Sequence, residues 1–376
     1  MSAAPVPAES AIFGSREHVD VSRALSELQA RRPVRVRAGD EDLIALPVDG
    51  LDDRRLREFA ILCGPETPRL IVTQQRARAI GIETSTPMSL SFPRTLDASG
   101  ILGLAVGNKS RFTAEAEAAS DAAAAAIRLI KLVRGLPAIL AARAATIGSE
   151  TVQSIAVIEA DAVHRFVANA ANTLAMASEA TIPLASGTSA RFVVFRDALG
   201  VDQVAIIVGR PHQSKPVPVR LHSACLTGDV FGSRRCDCGD QLQLALARLE
   251  DLGGGIILYL AQEGRGIGLA NKMRAYRLQD GGLDTRDANT ALGFEDDERD
   301  YGVAALMLRT LNCARIVLLT NNPAKLDGLT KAGIEIAARV PLEAPVTPHN
   351  KRYLTTKAVR SGHKLVTLKA SSKDTP

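Results

Sequence analysis

The chain has 376 residues, enough for about two domains of roughly 100–200 residues each. Its composition, 46% hydrophobic and 23% charged, is ordinary for a globular protein. No apolar run approaches the roughly 18 residues that a membrane helix needs, and the opening MSAAPVPAES lacks the basic and apolar regions of a signal peptide. We therefore predict a cytoplasmic protein with no membrane partner.

Charge and aromatic content bear on the partner. The chain carries 46 Lys and Arg against 41 Asp and Glu, a net charge of +5 that is spread along the sequence. This mild excess suits a phosphorylated small molecule as well as it suits nucleic acid. With no Trp, four Tyr and nine Phe, little material is present for stacking on bases. We therefore expect no nucleic-acid partner.

The first half of the chain is predicted to mix helices and strands. Amphipathic spacing at residues 24–28 indicates a helix, and residues 33–36 and 69–73 have the composition of short strands. The Ala-rich stretch 113–134 is predicted as one helix, because alanine is the best helix former and Gly135 follows as a stop signal.

The second half begins where residues 178–190 become rich in Ser, Thr, Gly and Ala, so we predict domains 1–175 and 176–376. Runs at 191–196, 203–208 and 217–221 predict an antiparallel meander. Helices are then predicted at 241–249, 269–280 and 301–311, alternating with buried strands at 256–260 and 315–320. The fold class is therefore mixed α/β in two domains, the second starting with antiparallel strands, with functional loops at strand ends.

Three of the five cysteines, Cys225, Cys236 and Cys238, lie close together in the sequence. The odd total and the intracellular context favour a metal site over disulfides. Three thiolates can bind Zn²⁺ and leave a fourth tetrahedral position open for water, which is the arrangement that catalysis needs. A closed structural site with His222 as the fourth ligand, or cysteines that only pack, are the alternatives.

Three further motifs follow predicted strands or form charged loops. AQEGRGIGLANK, residues 261–272, offers backbone N–H groups and an arginine to an anion, or is a plain turn. LLTNNPAK, residues 318–325, could hold a phosphate or ribose, or cap the next helix. GFEDDERDYG, residues 293–302, could bind Mg²⁺, supply a base or stay solvated. Spacing alone leaves each choice open.

Taken in order, the blocks RLHSACLTGD, GSRRCDCGDQL, QEGRGIGL, NKMRAY, LDTRDAN, LGFEDDERDYG, LLTNNPAK and NKRYLTTK resemble GTP cyclohydrolase II. The resemblance runs from about residue 180 to about residue 365. It implies a homodimeric hydrolase that converts GTP to formate, pyrophosphate and 2,5-diamino-6-(5-phosphoribosylamino)pyrimidin-4(3H)-one, the first step of riboflavin biosynthesis. It also implies one Zn²⁺ per subunit, and Mg²⁺ with the GTP phosphates.

The resemblance assigns catalytic roles as well. The three clustered cysteines would bind the zinc ion whose hydroxide attacks C8 of the guanine ring, and Tyr276 would lie beside the opening ring. Asp297 corresponds to the family's proposed proton acceptor and Arg299 to its proposed nucleophile on the α-phosphorus. Because a guanidinium has no free lone pair to offer, charge stabilisation is an equal alternative for Arg299.

A further set of positions matches the family's contacts to the nucleotide. These are Arg220, Leu221, His222, Ser223, Ala224, Gln241, Glu263, Gly264, Arg265, Thr285, Thr320 and Lys325. One of them departs from the usual pattern, since Ala224 stands where the family's HSEC block has glutamate. The resemblance therefore predicts a lost carboxylate contact with backbone contacts kept.

The front half resembles 3,4-dihydroxy-2-butanone 4-phosphate synthase in the segments ALSELQARRPVRV and LIVTQQRARAIGI. Where that enzyme has an acidic magnesium loop, this chain has AGDEDLIALP, residues 38–47, and the Gly-His-Thr block is absent. A metal at 40–42 is the alternative to a solvated turn. We predict that residues 1–175 are a degenerate, noncatalytic relative that supports folding or assembly.

Two other functions stay open at this point. One is a paralogue that opens the ring of GTP in another pathway, and the other is a noncatalytic nucleotide-binding regulator with structural zinc. Tyr276 favours complete ring opening, and three cysteines rather than four disfavour the regulator.

Overall fold

The structure is a computed structural model, and it describes residues 15–107, 115–144, 154–211 and 214–344. The chain divides into two compact units. Unit 1 comprises Met1–Asn169 and Ala270–Glu298, and unit 2 comprises Ala170–Leu269 and Arg299–Pro376. Unit 1 thus includes a segment from within the predicted second domain. Within the described ranges, no helix is long and apolar enough to cross a membrane.

Unit 1 is built on a seven-stranded sheet. Its strands are β1 (Val34–Ala38), β2 (Glu41–Pro47), β3 (Arg69–Val72), β4 (Met88–Leu90), β5 (Ala116–Ala118), β6 (Ala138–Arg143) and β7 (Val157–Glu159). They are ordered β5-β4-β3-β6-β2-β1-β7, and every neighbouring pair is antiparallel except β1 and β7. The predicted strands at 33–36 and 69–73 are confirmed as β1 and β3.

Eleven α-helices are described over the same ranges. They are α1 (Arg16–Gln29), α2 (Asp53–Cys63), α3 (Gln74–Ala79), α4 (Ala98–Val106), α5 (Asp121–Leu132), α6 (Ala160–Asn169), α7 (Cys238–Asp251), α8 (Leu269–Asp280), α9 (Thr285–Ala291), α10 (Gly302–Thr310) and α11 (Pro323–Lys331). The predicted helices at 24–28, 241–249, 269–280 and 301–311 are confirmed as α1, α7, α8 and α10.

The Ala-rich helix starts later than predicted. Ser120 caps α5 by accepting a hydrogen bond from the Ala123 N–H at 3.2 Å, so the helix begins at Asp121. The preceding residues, Ala116–Ala118, form the short strand β5 because they pair antiparallel with β4. Helix propensity was overridden there by strand pairing, and residues 113–114 of that prediction lie outside the described residues.

Unit 2 also contains a seven-stranded sheet. Its strands are β8 (Ala175–Pro183), β9 (Ser189–Arg196), β10 (Asp202–Gly209), β11 (Val217–Ser223), β12 (Gly254–Leu260), β13 (Arg315–Leu319) and β14 (Glu335–Val340). They are ordered β14-β13-β11-β12-β10-β9-β8. The antiparallel start is confirmed in β8, β9 and β10, although β8 extends into the stretch rich in Ser, Thr, Gly and Ala that predicts the domain boundary.

The predicted place of β11 is wrong. It does not extend the meander, because β12 inserts between β10 and β11 and pairs antiparallel with the first and parallel with the second. Two glycines make room for this insertion. A Cβ on Gly254 would lie 2.9 Å from the Val208 carbonyl oxygen, and one on Gly255 would lie 2.6 Å from the Pro218 carbonyl oxygen.

Strands β11, β12 and β13 run parallel, so their carboxyl ends meet at one edge of the unit 2 sheet. Apolar side chains of these strands are buried against α10 and α11 on one face and against α7 on the other. Ligands of layered α/β proteins bind outside such carboxyl ends. The fold therefore directs attention to the loops that follow these three strands.

Candidate active site

Three loops of unit 2 share one edge of its sheet. His222 and Ser223 end β11 and Cys225 lies in the loop after it, the loop after β12 carries Glu263 to Arg265, and Thr320 begins the loop after β13, which leads to Lys325 in the first turn of α11. Ser223 of β11 pairs with Leu260 of β12, so the first two loops leave the sheet at the same level. Residues that are far apart in sequence are thereby brought together.

The three clustered cysteines lie in the first of these loops and at the start of α7. Their sulfur atoms all lie within 4.8 Å of one another, and the Sγ atoms of Cys225 and Cys236 are 3.7 Å apart. An ion with tetrahedral geometry and bonds of about 2.3 Å separates its sulfurs by about 3.8 Å. The donor set and its spacing therefore fit a zinc ion.

His222 is not part of this group. Within the described residues, the group of neighbouring His, Cys, Asp or Glu ligand atoms contains the three cysteines alone. The His222 Nε2 atom lies 3.1 Å from both carboxylate oxygens of Asp229, and its ring stacks on Tyr259. Burial lowers the pKa of His222, which keeps the ring neutral. The arrangement does not support a closed site with His222 as fourth ligand.

The three cysteines lie close around Gly228 in partly buried surroundings. Contact with Cys225 raises the pKa of the Cys236 thiol, and burial adds to the rise. Gly228 lies against all three cysteines, and a Cβ there would sit 2.9 Å from the Cys236 Sγ. Two buried cysteines and the half-buried Cys238, packed around a glycine at the spacing of a tetrahedral ion, could together hold a metal ion.

Two buried carboxylates hold the loop that carries Cys225. Asp229 accepts hydrogen bonds from the Cys225 N–H and the Tyr259 hydroxyl, both at 2.9 Å. Glu263 accepts a bond from the Leu226 N–H at 2.7 Å. Sequence reasoning missed Asp229 and Tyr259. Asp229 follows Cys225 by four residues and ends the motif RLHSACLTGD, whereas Tyr259 lies in an apolar strand whose sequence gives no functional signal.

Arg220 and Gln241 form a second network beside the cysteines. The Arg220 guanidinium donates to the Leu319 carbonyl at 3.0 Å and to the Gln241 side-chain oxygen, and Gln241 donates to Asp237. Burial lowers the pKa of Arg220 to about 10, a change that Asp237 and the Cys238 thiol oppose, so the group stays charged at neutral pH. Its Nε atom has no hydrogen-bond partner among the described residues.

The loop after β13 caps helix α11, whose first turn carries a buried cation. Asn322 caps α11 by accepting from the Ala324 N–H at 3.0 Å, which confirms the capping interpretation of this motif. Lys325 is buried and donates to the Leu221 carbonyl at 2.6 Å, while Thr320 is 1% exposed. A ligand role for the two side chains stays a prediction.

For Ala224, Gly264 and Arg265, the structure defines the backbone conformation. Ala224 donates its N–H to the Leu260 carbonyl at 2.8 Å. Gly264 and Arg265 both have φ of 65°, in the left-handed region. That conformation is uncommon for a residue with a side chain and costs of order 1 kcal/mol, and Arg31, Arg134 and Asn312 share it, so a ligand role for Arg265 stays a prediction.

Not all predicted site residues lie in unit 2. Tyr276 on α8, Thr285 at the start of α9 and Asp297 belong to the segment 270–298 and therefore to unit 1. Lys272 places its Nζ 5.6 Å from the centre of the Tyr276 ring. Arg299 is the first residue of unit 2 after this segment, with its guanidinium 5.7 Å from the Tyr301 ring centre.

Fold and site together define a mixed α/β protein with a candidate metal site at the ends of parallel strands. The family model for GTP cyclohydrolase II matches residues 175–341. A protein of Xylella fastidiosa named GTP cyclohydrolase-2 is 39% identical over 357 residues, covering 94% of this chain and 89% of that protein. The chain belongs to the GTP cyclohydrolase II family.

Two other relatives match about half of the chain. A GTP cyclohydrolase-2 of Azotobacter vinelandii is 51% identical over 180 residues, which are 48% of this chain and 86% of that protein. A riboflavin biosynthesis protein RibBA of Bacillus velezensis is 51% identical over 186 residues, which are 49% of this chain and 47% of that protein. The family thus includes proteins of different lengths.

Proposed function

We propose that this enzyme hydrolyses GTP to formate, pyrophosphate and 2,5-diamino-6-(5-phosphoribosylamino)pyrimidin-4(3H)-one, the first step of riboflavin biosynthesis. The observation that carries the proposal is the group of three cysteine sulfurs within 4.8 Å, with no fourth protein ligand in that group among the described residues. A metal bound by three protein ligands keeps a position for a reacting molecule, whereas structural zinc sites are closed by four. Family membership and the names of the relatives support the same reaction.

The chain's own residues have distinct tasks in this proposal. Zinc, when bound, would supply Lewis acidity and lower the pKa of a water molecule. Asp229 and Glu263 fix the backbone that carries Cys225, so the ligand geometry is set before substrate binds. Arg220 and Lys325 keep two positive charges buried at the edge where the strands end. These charges favour binding of a triphosphate at this edge.

Further roles follow from the family resemblance. We assign Tyr276 to the opening imidazole ring and Asp297 to proton acceptance. Arg299 stabilises the charge that develops at the α-phosphorus, since a guanidinium cannot act as a nucleophile while protonated. We assign the nucleotide contacts to the twelve positions that match the family's nucleotide-binding residues, from Arg220 to Lys325. The proposal also includes Mg²⁺ bound with the GTP phosphates and a homodimer. It places the protein in the cytoplasm and assigns no catalytic role to the front domain.

The test is to incubate the purified protein with GTP and Mg²⁺ and to measure formate, pyrophosphate and bound zinc. We expect equal amounts of the two products and about one zinc per chain. Cys236→Ser removes one metal ligand, so both zinc content and formate release should fall to background.

Cys313→Ser is the matched control, because Cys313 is also a buried cysteine of unit 2 but its Sγ bonds the Leu311 carbonyl. This variant should keep both zinc and activity. Bound zinc without formate in the unaltered protein would instead favour a nucleotide-binding regulator. Formate release by zinc-free Cys236→Ser protein would refute the role of the metal.

A further inference from the structure

The segment 270–298 carries Tyr276, Thr285 and Asp297, yet it belongs to unit 1. The chain leaves unit 2 after Leu269 and returns to it at Arg299. Residues assigned to the ring-opening reaction therefore lie on a segment that packs within unit 1, against the front of the chain, by which we mean the part that precedes residue 170. The contacts that hold this element are specific and fall into three places.

The first place is helix α8, which carries Tyr276. Asp49, from the loop after β2, forms an ion pair with Arg274 of this helix. Asn271 donates its side-chain N–H to the Arg134 carbonyl at 2.9 Å and is fully buried. Asn271 and Arg274, which lie one turn apart on α8, are thus both bonded to residues that precede residue 170.

The second place is the end of helix α9. Thr73 donates its hydroxyl to the Gly293 carbonyl at 2.7 Å, and Arg76 donates to the Ala291 carbonyl at 2.8 Å. Gly293 has φ of 91°, and a Cβ on it would lie 2.8 Å from the Thr73 Oγ1 and 3.1 Å from Pro137. The backbone of the segment therefore lies directly against the front of unit 1.

The third place is the turn that contains Asp297. Lys131, in the last turn of α5, forms an ion pair with Glu298 at 2.6 Å and lies 5.8 Å from the centre of the Phe294 ring. Glu298 uses the same carboxylate oxygen to accept the Glu295 N–H at 2.7 Å. Gln75 donates its side-chain amide to Glu295. Lys131 is therefore bonded to the carboxylate that closes this turn, one residue after Asp297.

We infer that the front of unit 1 is a positioning element for ring opening, and that Lys131 is a positioning residue for Asp297. This inference rests on the proposed function. Lys131 touches neither substrate nor metal in this scheme, and it acts through Glu298 and the turn 294–298. Misplacing a reacting group by about 1 Å can cost about 100-fold in rate, so a side chain outside the reacting site can control turnover.

The test compares Lys131→Met with Lys131→Arg in the full-length, zinc-loaded enzyme. We expect Lys131→Met to lower kcat for formate release about tenfold or more, with KM for GTP and zinc content unchanged. Lys131→Arg keeps the charge and should restore most of kcat. Hydrogen exchange of the amides at 294–298 should speed up in Lys131→Met and stay slow in Lys131→Arg.

Arg35→Met is the matched control, since Arg35 forms a similarly buried ion pair with Asp42 within unit 1 and bonds nothing in the segment. Should Lys131→Met fold poorly, Glu298→Gln breaks the same pair and keeps an acceptor for the Glu295 N–H. A kcat equal to that of Arg35→Met, or unchanged exchange at 294–298, overturns the inference alone. If the unaltered protein releases no formate, the proposed function itself fails.

Discussion

At the scale of the residue, Gly228 is a position where added volume would press on all three cysteines. A Cβ there would meet Cys236 Sγ at 2.9 Å, Cys238 Cβ at 3.0 Å and Cys225 Sγ at 3.1 Å. All three contacts belong to the same metal site, so none can move without changing the spacing of the sulfurs. Glycine at this position is therefore required by the cysteine group itself.

We predict that Gly228→Ala weakens zinc binding by about tenfold or more, the size of effect seen when the support of a metal ligand is altered. Competition with a chromophoric chelator measures the affinity, and formate release should fall in parallel. Gly103→Ala is the control, because a Cβ on Gly103 meets nothing within 4 Å. An unchanged zinc affinity in Gly228→Ala would show that the loop relaxes around the added methyl group.

Residue roles differ in how far the sequence could predict them. The three cysteines were predictable because soft ligands at short spacing indicate a metal, and the structure brings their sulfurs together. Tyr259 was not, because its hydroxyl meets Asp229 only after β12 has paired with β11. A partner that depends on pairing between distant strands leaves no trace in local spacing.

At the scale of the element, Arg76 joins the ends of two helices of unit 1. Its guanidinium donates to the Ala291 carbonyl at the end of α9 and to the Leu104 and Gly107 carbonyls at the end of α4. The side chain is 1% exposed, and burial lowers its pKa to about 10. A cation is favoured at helix carboxyl ends, which here offset the cost of burying the charge.

We predict that Arg76→Lys lowers the local stability of both helix ends by about 2 kcal/mol, because one ammonium group cannot reach carbonyls on both helices. Hydrogen exchange of amides near residues 104–107 and 288–293 measures this directly. Arg69→Lys is the control, since Arg69 bonds Ser89 of the neighbouring strand at 2.7 Å. Equal exchange in the two variants would mean that Arg76 contributes packing alone.

The elements themselves were predictable where local chemistry decides them. Helix α1 buries Val21, Ala24, Leu25 and Leu28, the period that its sequence shows. Strand order was not predictable, because the insertion of β12 beside β10 depends on a close approach at Gly254 and Gly255 that involves three distant segments. The predicted start of α5 was wrong for the same reason, because residues Ala116–Ala118 pair with strand β4, which is distant in sequence.

At the scale of the whole molecule, the division of the chain does not follow a single cut. Composition predicted one boundary between residues 175 and 176. The first compact unit instead ends at Asn169, and the segment 270–298 also belongs to it. Helices α8 and α9 were visible in the sequence, but the unit to which they belong depends on contacts over more than 100 residues, such as that of Thr73 with Gly293. Such contacts have no local signature.

We predict that a chain truncated to residues 170–376 still binds about one zinc, because all three cysteines lie in unit 2. It should release formate at least about tenfold more slowly than the full chain, since α8, α9 and the turn at 294–298 lose Asp49, Arg76 and Lys131. Zinc analysis, kcat and hydrogen exchange of residues 270–298 measure the three parts of this prediction.

The Azotobacter vinelandii relative is the control for the truncation, because the 180 residues that it shares with this chain already make up 86% of its length. Amides of its matching segment should exchange slowly, whereas those at 270–298 of the truncated chain should exchange fast. The difference follows from Gly293, Arg274 and Glu298, each of which contacts a residue of this chain that precedes residue 170. A truncated chain with full kcat and slow exchange would show that these contacts are dispensable and that the segment is ordered by the remainder of the chain.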